Sequence, residues 1–180
     1  MSQFFIISGP SGVGKGTLIK KLLEKKPSIH LAVSATTRTK REGEVDGKDY
    51  YFFSHETFQT HIKKGSFMEW CEVHHSYYGT LYSEVQENLK LGKKVLLEID
   101  VQGAKKIKKA MPEVVLIFIL PPCLEVLHER LKKRSSEDEL TIKKRLEVAK
   151  LELEQSKEYD FLIVNDDLSR ALDRLIGIMG

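Results

Sequence analysis

The chain alternates short, nearly unbroken apolar runs with longer stretches in which apolar residues recur every third or fourth position. "FFIIS" at 4–8, "KVLLEID" at 94–100, "VVLIFIL" at 114–120 and "DFLIVND" at 160–166 are the apolar runs. Their length and β-prone composition predict strands buried on both faces. Between them lie segments such as "KGTLIKKLLEKK", where Leu18, Leu22 and Leu23 fall at helical spacing and predict an amphipathic helix. Strands of this kind alternating with helices predict a doubly wound α/β core around a parallel sheet.

Two segments break the alternation. "LAVSATTRTKREGEVDGKDYYFFS" and "SFMEWCEVHHSYYGT" are rich in β-branched and aromatic residues and punctuated by Gly43, Gly47 and Gly79. They predict a small, mostly β insertion over 34–82 with one short helix near 56–64. After Pro121 and Pro122, "CLEVLHERLKKR" and "SEDELTIKKRLEVAKLELEQSKEY" predict two helices, the second opened by a capping box of Ser136 and Glu139. With no repeat, low-complexity tract or linker, 1–180 reads as one domain: core 1–33, 83–121 and 159–180, insertion 34–82, helical pair 122–158.

Composition narrows the class. At 180 residues, 41% hydrophobic and 31% charged, the chain suits one soluble domain with an ordinary core. No apolar run approaches the roughly 18 residues of a membrane helix. "MSQFFIISGP" has no basic residue ahead of its apolar patch, which speaks against a secretory signal. Cys71 and Cys123 are far apart and lack a CxxC spacing, against zinc or a disulfide framework, so the cytoplasm is the expected compartment. The net charge of +3 comes from interspersed residues, and the densest basic cluster, "KKIKK" at 105–109, reads as a solvated helix face. Neither nucleic acid, nor a membrane, nor an obligate protein partner is expected.

"GPSGVGKGT" at 9–17 lies between the first predicted strand and helix, the context in which a Gly-rich loop cradles phosphate. Glycines let successive backbone N–H groups turn inward, the helix adds its positive dipole end, and Lys15 supplies a point charge for the β- and γ-phosphates. Gly9, Pro10, Ser11, Gly12, Val13, Gly14, Lys15, Gly16 and Thr17 are therefore candidate ATP contacts. A bare strand-to-helix turn is the plain alternative. The common pattern carries Ser or Thr after the lysine to place a hydroxyl on Mg²⁺, and Gly16 stands there instead. Thr17 does not substitute, because one step along a helix turns the side chain by about 100°. Mg²⁺ is thus expected on ATP oxygens and water, with Asp100, at the end of "VLLEID", acting through water.

In "TTRTKRE", Arg38 and Arg41 are spaced to grip a second phosphate bidentately, although two surface arginines would share that spacing. Tyr50 and Tyr78 offer phenolic donors or core packing. Glu69 lies between Met68 and Trp70, so strand alternation predicts its side chain opposite both. Trp70 and the "DYYFF" aromatics are expected to pack the insertion. Adjacent His74 and His75 would face opposite sides of a strand, with no third ligand nearby, and carry no metal expectation.

Taken together, "SATTRTKREGEVDGKDYYF", "FMEWCEVHHSYYGT", "LEIDVQG" and "IVNDD", in this order, resemble guanylate kinase in its catalytic, stand-alone form. The resemblance implies a P-loop fold with a GMP-binding insertion and a helical lid, and phosphoryl transfer from ATP to GMP and dGMP. It implies Arg38, Arg41, Tyr50 and Tyr78 on the GMP phosphate, and Ser34, Glu69, Thr80 and Asp100 around the guanine. Thr80 stands where members often carry Ser, and keeps the hydroxyl. The helices after Pro122 resemble the lid over ATP, bearing Arg130 and Arg134 one turn apart and Arg145 on the next helix. Phosphoryl transfer spreads charge over the equatorial oxygens of a loose transition state, which cations stabilise. Lys15, Arg41, Arg134 and Arg145 are assigned to that charge, supported by Arg38 and Arg130; an ion pair with a nearby Glu is the alternative for any lid arginine. Asn165 resembles the position that meets adenine, and Asn also ends strands in plain turns.

Two other readings stand beside this one. "GKGT" also resembles the loop of adenylate kinases, from which the insertion and Glu69 distinguish it. Non-catalytic guanylate-kinase-like modules that bind phosphorylated proteins resemble the fold but have generally lost the phosphate loop, which this chain keeps.

Overall fold

The computed structural model describes residues 3–73, 75–134 and 139–180, Arg134 by its backbone alone. His74 and Ser136, and with Ser136 the expected capping box, lie outside the described residues. The first half of the core is β1 (Phe4–Ser8), α1 (Lys15–Lys25) and β2 (Ile29–Leu31). Then come β3 (Ala35–Thr36), β4 (Tyr51–Phe52), α2 (His55–Lys63), β5 (Phe67–Val73) and β6 (Ser76–Leu81). The chain returns through α3 (Tyr82–Lys90), β7 (Lys94–Glu98), α4 (Val101–Ala110) and β8 (Val115–Leu120). It ends with α5 (Leu124–Arg134), α6 (Glu139–Glu154), a 3₁₀ turn (Gln155–Glu158), β9 (Phe161–Val164) and α7 (Leu168–Met179).

The core strands form a sheet in the order β2-β7-β1-β8-β9, with every pairing parallel. Parallel neighbours require crossovers, which the helices supply on both faces. Side chains alternate across β1: Phe5 and Ile7 meet Leu18, Leu22, Leu127 and Leu175 on one face. Phe4 and Ile6 meet Val85, Ala104 and Ile107 on the other. Covering both faces is why these strands read as unbroken apolar runs. β2 is an exception; its three residues "IHL" at the sheet edge carry no such run, and the sequence pattern did not predict it. Because all five strands run the same way, the loop after β1, Asp100 after β7 and Asn165 after β9 gather at one edge, beside the central strand where connections diverge.

Residues 34–82 build a second sheet, β4-β3-β6-β5, with β3 parallel to β4 and antiparallel to β6. It has a small core of its own, in which Phe58 of α2 stacks on Phe67 of β5 at 4.3 Å, with Tyr51, Phe53 and Tyr77 packed around them. The Ser54 hydroxyl caps α2 by accepting the Thr57 N–H at 3.0 Å. Trp70 departs from expectation: it is 39% exposed and only edges onto Tyr77, so it lies on the insertion's surface rather than inside it. On α4, Ile107 is buried while Lys105 and Lys108 turn outward to Glu158 and Asp160, the solvated face that "KKIKK" predicted. No helix among the described residues is long and apolar enough to cross a membrane, and Cys71 and Cys123 are free thiols.

Candidate active site

The glycine loop is built so tightly that two of its glycines have no substitute. Gly9 and Gly14 have φ of 148° and 99°. A Cβ on Gly9 would lie 2.5 Å from the Ile119 carbonyl oxygen, and one on Gly14 2.6 Å from Asn165 Nδ2. Gly14 is also the N-cap of α1 and offers no side-chain cap, which leaves the first-turn N–H groups to an anion. Lys15 Nζ donates to the carbonyls of Gly9 at 2.6 Å and Pro10 at 3.2 Å, folding the ammonium over the loop. A Cβ on Gly16 would meet nothing within 4 Å, so crowding does not account for the missing hydroxyl.

Below the loop, the Val13 carbonyl accepts from Asn165 Nδ2 at 2.8 Å and from Arg130 Nη1 at 3.1 Å. Arg130 Nη2 reaches the Asn165 carbonyl at 3.0 Å. Asn165 is buried, and Arg130 straps α5 to the loop and to the end of β9. In this structure both residues, expected on adenine and phosphate, brace the loop.

Ser34, Thr80 and Glu69 form a hydrogen-bonded chain. Thr80 Oγ1 donates to Glu69 Oε1 at 2.9 Å and lies 3.2 Å from Ser34 Oγ. Glu69 does face away from Trp70, but Met68 does not share Trp70's side as alternation predicted. At a bulge in β5 between Phe67 and Glu69, Phe67 packs into the insertion's core while Met68 packs into the main core beside Val85 and Ala104. Burial pushes the Glu69 carboxyl up to about 7; the Thr80 hydroxyl opposes this and the Asp100 charge adds to it. Asp100 caps α4, its Oδ1 accepting the Gly103 N–H at 2.8 Å, while its Oδ2 accepts from the Cys71 thiol at 3.7 Å. Ser34, Thr80 and Glu69 are therefore bonded in series, while Asp100 is held separately by Gly103 and Cys71, to which the sequence analysis gave no role.

Gly103 has a further role. A Cβ there would sit 3.1 Å from Glu69 Oε2 and 3.2 Å from Ile99 Cδ1. In Gly103→Ala, alanine's helix propensity favours α4 by up to ~1 kcal/mol while the methyl crowds the Glu69 carboxylate. The expected outcome is an unchanged or raised melting temperature together with a KM for GMP several-fold higher, which thermal denaturation and steady-state kinetics check.

On the insertion, Arg38 lies with its guanidinium carbon 5.5 Å over the Tyr50 ring, and Tyr50 meets Tyr78 edge-on at 6.1 Å. Glu44 holds Arg38 through both terminal nitrogens, at 2.7 and 3.1 Å, and accepts the Arg41 N–H at 2.7 Å. That pairing raises the Arg38 pKa and lowers that of Glu44. Glu44 was not foreseen; its signal is an acid three residues beyond the second arginine of the pair.

A cleft of about 1420 Å³ reaches from the glycine loop past Asp100 to Ser34 and Tyr50 of the insertion; of the other expected GMP contacts, Arg38, Arg41, Glu69, Tyr78 and Thr80 lie outside its lining. It exceeds the roughly 300–1,000 Å³ of a single small-ligand pocket, as two nucleotides require. Glu98 and Glu152 also face it, two carboxylates to which the sequence analysis assigned no role. Burial raises the Glu152 pKa, against the pull of Lys15. Arg145 is half-buried on α6 and outside the cleft lining, and the side chain of Arg134 lies outside the described residues. Among the described residues no three His, Cys, Asp or Glu side chains are grouped to hold a metal ion.

Comparison with known proteins agrees along the whole chain. The guanylate kinase family model matches residues 1–180. A guanylate kinase of Synechocystis sp. is 51% identical over 178 residues, which is 99% of this chain and 93% of that protein. One from Caldanaerobacter subterraneus subsp. tengcongensis is 49% identical over 174 residues, covering 97% of this chain and 84% of its own length. The crystal structure of guanylate kinase from Anaplasma phagocytophilum superposes with a TM-score of 0.79 at 37% identity, over 98% of this chain and 83% of the other.

Proposed function

The chain belongs to the guanylate kinase family, and from that premise we propose how its cleft divides the work of passing the terminal phosphoryl group of ATP to GMP. The triphosphate lies in the loop 9–17 under Lys15, with the adenine toward Asn165. GMP lies on the insertion 34–82, its phosphate against Arg38, Arg41, Tyr50 and Tyr78 and its base against Ser34, Glu69, Thr80 and Asp100. Residues 122–158 form the lid, and closure of lid and insertion shelters the transfer from water. Lys15, Arg41, Arg134 and Arg145 are the cations assigned to the charge that spreads over the transferring group, with Arg38 and Arg130 in support. No general base is required.

The observation that carries this reading is the buried Glu69 carboxylate, hydrogen-bonded to Thr80, which in turn meets Ser34 on the wall of the cleft. Guanine offers N1–H and its 2-amino group as adjacent donors, which one carboxylate accepts together. Adenine offers an acceptor at N1 and no 2-amino group, so with Glu69 ionised, as above about pH 7, AMP would leave a buried charge facing a lone pair. Sites of this kind reject the wrong partner by about 10⁴- to 10⁵-fold. dGMP serves as a second acceptor, because base and phosphate carry the recognition. Initial rates with GMP, dGMP, AMP, CMP and UMP test the reading, and a preference for AMP would overturn it.

Mg²⁺ accompanies ATP. The residues present fit a hydrated ion: the exposed Asp100 carboxylate borders the cleft, and Gly16 supplies no competing ligand. Bound there, Mg²⁺ would neutralise β- and γ-phosphate charge, with Asp100 holding it through water. The nucleotides are the partners in this reading, and the free thiols of Cys71 and Cys123 suit a reducing cytoplasm.

A pH dependence follows from Glu69. In the empty site its carboxyl holds a proton up to about pH 7, whereas guanine requires the carboxylate. GMP affinity should therefore rise as pH increases from 6 to 8, with proton release on binding below 7. Calorimetry at both pH values in buffers of different ionisation heat measures this. Glu69→Gln is the control, because it keeps only the share due to the GMP phosphate, whose second pKa is about 6. Equal slopes in parent and variant would exclude Glu69 as the titrating group.

A further inference from the structure

Where the chain leaves the core sheet for the insertion, and where it returns, one carboxylate holds both sides. Glu84 stands in the first turn of α3, its side chain only 10% exposed. Its Oε1 lies 2.7 Å from His30 Nε2 on β2 and accepts the Val33 N–H at 3.1 Å. Its Oε2 accepts the Tyr51 hydroxyl of β4 at 2.9 Å. The edge of the core sheet, the crossover and the insertion thus meet at one group.

The residues Glu84 grips are the chain neighbours of two GMP-site residues. Val33 precedes Ser34 and Tyr51 follows Tyr50, and Ser34 and Tyr50 both line the cleft. Tyr50, bridged to Asp46 just ahead of β4, lines the cleft while Tyr51 turns back to Glu84, as adjacent extended residues face opposite sides. The Tyr51 N–H also donates to the Ser34 carbonyl at 2.9 Å, which ties the two positions to each other. We infer that Glu84 is a positioning residue for the acceptor: by holding Val33 and Tyr51 from behind, it sets where Ser34 and Tyr50 are presented to GMP. This rests on the GMP site proposed above. Burial and the Glu84 carboxylate push the Tyr51 hydroxyl up to about 12, so it stays a donor across the working pH range. Truncating Glu84 would leave that hydroxyl and the Val33 N–H without their partner.

Steady-state kinetics of Glu84→Ala, Glu84→Gln and Tyr51→Phe, with GMP and ATP varied separately, test the role. KM for GMP should rise roughly tenfold in Glu84→Ala and about threefold in Tyr51→Phe, with kcat and KM for ATP within about twofold. Glu84→Gln, which keeps one acceptor oxygen, should fall between the parent and Glu84→Ala. Adding Tyr51→Phe to Glu84→Ala should cost nothing further, because the shared bond is already gone. A parallel rise in both KM values, a loss confined to kcat, or additive penalties would overturn the role. Tyr51→Phe removes one oxygen from a retained ring, so it decides the matter even if Glu84→Ala does not fold: an unchanged KM for GMP counts against the inference. Tyr50→Phe separates the two ways of failing. If it leaves KM for GMP unmoved, the GMP site itself is misplaced; if it raises KM while the Glu84 and Tyr51 variants do not, only the positioning role fails.

Discussion

Lys15→Met is expected to lower kcat/KM about 10³-fold, or ~4 kcal/mol of transition-state stabilisation, in a protein that remains folded. The Lys15 ammonium is the cation that the loop itself carries. It donates to the carbonyls of Gly9 and Pro10, which hold it over the loop where the proposed reading places the phosphates. Methionine keeps most of the side chain's length and loses the charge, so the packing around α1 is preserved. In the loose transition state negative charge builds on the bridging oxygen and spreads over the equatorial oxygens, and water cannot replace a fixed cation without reorganising. Turnover and circular dichroism of the variant measure both halves of the expectation. Near-normal turnover in a folded variant would remove Lys15 from the catalytic set.

Glu69→Gln is expected to act in opposite directions on function and stability. An amide has one acceptor oxygen where guanine presents two donors, so KM for GMP should rise about 10²-fold while KM for ATP stays near the parent value. Equal effects on both nucleotides would make Glu69 merely structural. Stability responds through the proton. Below the unfolded-state value near 4.3 both states hold it, and as pH rises toward 7 the unfolded chain gives it up first. Folding stability contributed by Glu69 is therefore lost across that window in the empty enzyme. Glutamine has no proton to lose, so at pH 8 the variant should be more stable than the parent by on the order of 2–3 kcal/mol. Denaturant titration at pH 4.5 and pH 8 tests this, with the difference expected only at the higher pH. A carboxylate that costs stability when the site is empty and is repaid when guanine arrives is the pattern of a recognition group.

These two residues also show how unevenly the site could be read from the chain. Lys15 and its loop are a local feature, since nine consecutive residues supply both the turn and the charge, and the strand before them and helix after them follow from periodicity. Glu69 was legible as a candidate through its resemblance to guanylate kinase, but its surroundings were not. Alternation along β5 assigned Met68 and Trp70 to one side, and the bulge at Phe67–Glu69 separates them. The spacing of Arg38 and Arg41 raised the expectation of a phosphate grip, whereas Glu44, which holds the Arg38 guanidinium and the Arg41 backbone N–H, depends on the loop closing on itself. Arg130 and Asn165 could be placed on ATP by resemblance; that they also meet at the Val13 carbonyl required contacts spanning most of the chain.

The order of residues was enough for the parallel α/β core, the β insertion, the phosphate loop and the class of acceptor. Each of these depends on hydrophobic periodicity, on consecutive backbone groups or on motifs read along the chain. The edge strand β2, the burial of Glu69, the space that Gly103 leaves beside it and the grip of Glu84 on Val33 and Tyr51 became visible only in three dimensions. Desolvation and hydrogen-bond satisfaction depend on which distant segments come to lie against a group, and residues 30, 51 and 84, like 69, 80 and 103, are brought together by the sheets rather than by their spacing.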